Sequence, residues 1–80
     1  MAWDQPKTAI SRADLAQECL DEVRMWPGCE GVVSVGVLSA PSDRFTLRVM
    51  EYGAADKKLA DRAIRAIERE KRRFYHLKAD

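Results

Sequence analysis

The stretch from Ala54 to Tyr75 (AADKKLADRAIRAIEREKRRFY) limits what this chain can become more than any other. Wound as a helix at about 100° per residue, it places Leu59, Ala60, Ala63, Ile64, Ala66, Ile67 and Phe74 on one face. Lys58, Arg62, Arg65, Arg69 and Arg72 fall on the opposite face, spaced 4, 3, 4 and 3. These cations cover an arc of about 80°. Arg73 lies just outside the arc and His76 lines up with it. One face can close a core, and the other presents a row of positive charge.

An 80-residue chain can build one modest core, so residues 1–80 are expected to form a single domain with a thin stability margin. Apolar content of 46% with 34% charged residues fits a globular rather than a disordered chain. Net charge is +1 but unevenly placed. Residues 1–53 hold five basic and eight acidic side chains, whereas residues 54–80 hold nine basic and five acidic ones. The longest mostly apolar run, Gly31 to Ala40, is too short to cross a bilayer, and MAWDQPKTAI has no signal-type apolar core. Membrane contact is therefore not expected, and the expected location is cytoplasmic.

Upstream of the long helix, Ser11 is an N-cap candidate with Asp14 three residues on, and Ile10 and Leu15 are spaced for a hydrophobic staple. Leu15, Ala16, Cys19, Leu20, Val23 and Trp26 line one face of a first helix; Asp14, Gln17, Glu18, Asp21 and Glu22 line the other. Pro27-Gly28 stops it. Gly31 to Ser39 then alternates, with Val33, Val35 and Val37 on one side. Arg44 to Tyr52 alternates too, with Phe45, Leu47 and Val49 inward, and Ala40-Pro41-Ser42-Asp43 between them has turn chemistry. The expected fold is a two-layer α+β domain in α-β-β-α order, an antiparallel hairpin packed against two helices. A bare pair of strands is marginal, so the sheet is expected to gain a strand from residues 1–10, from the tail at 76–80, or from a second copy. Trp3 is expected to cover one end of the core.

The passage from helix through Pro27-Gly28 into Gly31-Val32-Val33-Ser34-Val35-Gly36-Val37 is similar to that of small ferredoxin-like metal-carrier domains, where a helix also leads into a valine-rich strand. Those domains hold metal through a Cys-x-x-Cys pair in the loop before their first helix. Here that loop reads Thr8-Ala9-Ile10-Ser11, without cysteine, so the resemblance implies no metal site.

The same residues exclude several chemistries. His76 is the only histidine and lies close to Asp80, which leaves nucleophile–histidine pairs little support. Cys19 and Cys29 with one histidine fall short of a structural zinc set. Cys19 is expected as a buried thiol and Cys29, in the turn, as a more exposed one. Phosphate-cradling glycine loops are absent, and the carboxylates at 14, 18, 21 and 22 sit on a face expected to be solvated. No catalytic, cofactor or metal residues are assigned. A groove lined by Trp3, Trp26 and Tyr52 would instead mark an enzyme or a small-ligand binder.

What remains is the cationic row. Arginine forks suit carboxylates and phosphates. The leading expectation is a non-catalytic protein-interaction or assembly module. Its partner would be an acidic protein, a second copy joined edge to edge, or a copy whose acidic first helix meets this basic one. The alternative is a weak nucleic-acid-binding accessory protein using Lys58, Arg62, Arg65, Arg69 and Arg72. A pI near 7.8 and few neighbouring aromatics argue against the latter.

Overall fold

The computed structural model of the chain describes residues 7–39 and 45–78. Trp3, Pro6, the turn at 40–43, Arg44 and the last two residues lie outside them, and so do the expectations placed on them. In chain order the elements are β1 (Thr8–Ile10), α1 (Arg12–Val23), β2 (Ser34–Ser39), β3 (Phe45–Glu51), α2 (Lys57–Phe74) and β4 (Tyr75–Leu77). The class is α+β, as the sequence implies. The order is β-α-β-β-α-β rather than the expected α-β-β-α, because short strands flank both helices.

Those two strands do not lengthen the β2–β3 pair. They pair with each other in parallel, Thr8 opposite Tyr75 and Ile10 opposite Leu77, and Lys78 N–H donates to the Ile10 carbonyl at 2.8 Å. No turn separates β1 from α1 or α2 from β4: Ser11 alone links the first pair, and Tyr75 follows Phe74 directly. Each strand is thus an extended continuation of its helix, and packing α1 against α2 brings the two strands together. The element order is shared with ferredoxin-like domains. Here, however, the strands form two separate two-stranded sheets.

Local chemistry fixes both helix starts. Ser11 Oγ accepts from Asp14 N–H at 3.1 Å, and the staple residues Ile10 and Leu15 are both buried. Asp56 caps α2 by accepting from Leu59 N–H at 3.1 Å. Lys71, Arg72 and Arg73 in its last turn suit the negative end of the helix dipole.

β2 and β3 run antiparallel, with Val35 opposite Val49 and Val37 opposite Leu47. Between the Val35–Val49 and Ser34–Glu51 pairs β3 carries one extra residue, a bulge. Upstream of β2, Val32 is buried and Val33 is exposed, so the expectation that Val33 shares the inner face of Val35 and Val37 is corrected. The regular strand begins at Ser34 instead of Gly31.

The core joins Leu15, Cys19 and Val23 of α1 to Val35, Val37, Phe45, Leu47 and Val49 of the strands and to Ala60, Ala63, Ile64 and Ile67 of α2. Cys29 is also fully buried, a correction to its expected exposure: Val32 N–H donates to its carbonyl and folds the loop over it. Burial pushes the thiol pKa up, which suppresses the reactive thiolate. α1 is regular only to Val23, so Met25 and Trp26 swing out on the following turns, 85% and 40% exposed. Phe74, expected on the apolar face, is 55% exposed, because α2 turns into β4 at the next residue.

Candidate functional site

α2 holds its cations in two distinct ways. Lys58, Arg62, Arg65 and Arg69 are exposed, and among the described residues none of them makes an ion pair. Arg72, the fifth member of the expected row, is partly withdrawn. Its Nε donates to the Phe45 carbonyl at 2.9 Å and its Nη1 lies 3.8 Å from Glu68.

Glu68 and Arg72 act together on β3. Glu68 Oε1 accepts from Leu47 N–H at 2.8 Å while Arg72 reaches the Phe45 carbonyl. Phe45 and Leu47 therefore turn their backbone groups away from β2, and two side chains one helical turn apart occupy the edge where another strand would pair.

The acidic face expected on α1 is not a free surface. Glu22 and Glu18 reach Lys71 at 2.8 and 3.1 Å, and Tyr75 O–H donates to Glu18 at 3.1 Å. Lys71 is a buried lysine that sequence reasoning missed. The signal was present: it continues the 4-3-4 spacing of Ala60, Ile64 and Ile67. Burial alone would lower its pKa, but the hydrogen bonds to Glu22 and Glu18 outweigh it and hold the ammonium above its ordinary value. Asp14 and Asp21 are the α1 carboxylates outside this cluster, and Asp21 accepts from Gln17 at 3.0 Å, so a copy-to-copy contact between opposed helix faces has less acidic surface to use than the sequence implies.

Beside the row lies a groove of about 550 Å³ between β3 and α2, lined by Arg48, Tyr52, Lys57, Asp61, Arg65 and Glu68 among others. A second, shallower depression runs over the helix itself, lined by Lys58, Asp61, Arg62, Arg65, Ala66 and Arg69. The two share Asp61 and Arg65 and so form one surface. Asp61 accepts from the Tyr52 hydroxyl, a bond that raises the tyrosine pKa. Lys57 Nζ stands 5.6 Å from the centre of the Tyr52 ring. Arg48 and Lys57 are members of this surface that the helical wheel could not supply, since one belongs to a strand and the other to the first position of α2.

Trp26 and Tyr52 line different grooves, and Trp3 lies outside the described residues, so these three aromatics do not form the groove expected of a small-ligand binder. Among the described residues no three His, Cys, Asp or Glu side chains gather where they could hold a metal ion, and no helix is long and apolar enough to cross a membrane. No family model, curated protein or solved structure matches the chain.

Proposed function

We propose that the chain is a non-catalytic protein-interaction module whose α2 surface docks a carboxylate-rich segment of a partner protein. The observation that carries this reading is the division of labour among the cations. Lys71 and Arg72 are committed to contacts inside the fold, whereas Lys58, Arg62, Arg65 and Arg69 are left unpaired along one line among the described residues. Arg48 and Lys57 widen that line into a band.

A protein partner suits the band better than a nucleic acid does. Asp61 and Glu68 lie along its flank, where a phosphodiester backbone would meet them at regular intervals and a peptide can place its charges between them. Edge-to-edge pairing of two copies, the other assembly route, would have to use β2, since Glu68 and Arg72 occupy the β3 edge.

The test is binding of a fluorescent glutamate-rich peptide and of single- and double-stranded oligonucleotides, at about 50 and 200 mM salt. Peptide binding that is lost in Arg62→Glu/Arg69→Glu, with the thermal midpoint unchanged, supports the reading. Oligonucleotide binding with a steeper salt dependence than the peptide shows would favour the alternative. Binding by neither ligand at low salt would defeat both.

A further inference from the structure

We propose that the groove between β3 and α2 seats one phosphoryl group, carried on a phosphorylated serine or threonine of the acidic partner segment. This rests on the reading of α2 as a partner surface and assigns the anchor within it.

The argument comes from which charges in the groove are already used. Both of its carboxylates keep their charge but are held by the fold, Asp61 by the Tyr52 hydroxyl and Glu68 by Leu47 N–H with Arg72 at 3.8 Å; a single phosphoryl group opposes only these two, whereas a phosphodiester strand would carry further charges past them. Its three cations are not so engaged. Arg48, Lys57 and Arg65 are exposed and make no ion pair among the described residues. They come from a strand, from the first turn of α2 and from its middle, so they border the groove from different sides.

A side-chain carboxylate has two oxygens and is satisfied by one arginine fork. A phosphate monoester at neutral pH carries close to two charges and three acceptor oxygens, enough to engage two guanidinium forks and one ammonium together. The row outside the groove, Lys58, Arg62 and Arg69, then remains for flanking carboxylates. Two of the three groove cations, Arg48 and Lys57, lie outside the row, so the anchor and the row can be removed separately.

The experiment uses two versions of one glutamate-rich peptide, with a central serine either free or phosphorylated. Each is titrated into the full chain and into Arg48→Gln/Lys57→Gln. Phosphorylation is expected to tighten binding by about tenfold or more, and the double variant, whatever it costs the free peptide, to bring the two peptides to the same affinity. Inorganic phosphate alone should shift the amide resonances of Arg48, Lys57 and Arg65 in the parent and not in the variant. Equal affinity for the two peptides, or a gain that survives in the variant, overturns the anchor and leaves the acidic-partner reading standing. Failure of both peptides to bind overturns both.

Discussion

The ammonium of Lys71 lies 2.8 Å from the carboxylate of Glu22, and this contact, with Glu18 at 3.1 Å, ties the end of α2 to the middle of α1. The lysine side chain is 7% exposed and the two glutamates 37%. An ammonium so enclosed depends on its partners, whereas the carboxylates retain some water.

Lys71→Ala is therefore expected to cost about 2–3 kcal/mol in urea unfolding, below the range for fully enclosed pairs because the glutamates remain partly solvated. Combining Lys71→Met with Glu18→Gln and Glu22→Gln removes the cation together with the charges it answers, and should recover most of that loss. A single variant as stable as the parent would show that the ion cluster contributes nothing net.

Alkali should weaken the fold. Burial pushes the Cys19 thiol from 9.0 up to about 12, against the opposing pull of Lys71. The Lys71 ammonium is held above its ordinary value by Glu22 and Glu18, and the hydrogen bonds to Asp61 and Glu18 raise the Tyr52 and Tyr75 hydroxyls. Each group keeps its proton longer folded than unfolded. Their stabilisation is complete below about pH 9 and is lost as pH rises through the folded values. Urea unfolding at pH 8 and pH 10.5 should show a marked decline, shallower in Cys19→Ala; a flat profile would contradict the assignment.

Opening the β3 edge should make the protein sticky. Glu68→Ala/Arg72→Ala removes the acceptor for Leu47 N–H and the donor to the Phe45 carbonyl, at a cost of about 1–3 kcal/mol. Sedimentation velocity should then reveal concentration-dependent association absent from the parent. A double variant that stays monomeric would mean that something else covers the edge.

Gly53 sits at φ 56°, and a Cβ there would lie 2.3 Å from the Gly31 carbonyl oxygen. Gly53→Ala should cost about 2–3 kcal/mol, lowering the thermal midpoint by roughly ten degrees or more. Gly36→Ala is the control. Its added methyl meets only the Met50 side chain, which can turn aside, so its cost should be distinctly smaller.

Much of this was legible because the signals were local. The Ser11 cap, the Ile10–Leu15 staple and the 4-3 spacing of Ala60, Ile64 and Ile67 are set by neighbours in the chain. So was the inward face of Val35, Val37, Leu47 and Val49. What escaped depends on distant groups. Three-residue strands such as Thr8–Ile10 and Tyr75–Leu77 have too little pattern to be recognised alone; each is defined by the other. Spacing alone places Lys71 on the inner face, but the partners that allow its burial, Glu18 and Glu22, stand some fifty positions earlier. Arg48 and Lys57 joined the candidate surface for the same reason, and Arg72 left it when Phe45 offered a carbonyl.

The pairing of β1 with β4 also dictates when the fold can be finished. Thr8 waits for Tyr75 and Ile10 for Leu77, and the Ile10 carbonyl waits for Lys78. Synthesis runs from β1 towards β4, so α1 and the β2–β3 pair are made before the residues that close them. During this interval the nascent chain must carry Ile10 without the strand that encloses it, and α1 without Lys71. Closure is therefore a late event, and a chain arrested before Tyr75 stays open at the end where β1 lies.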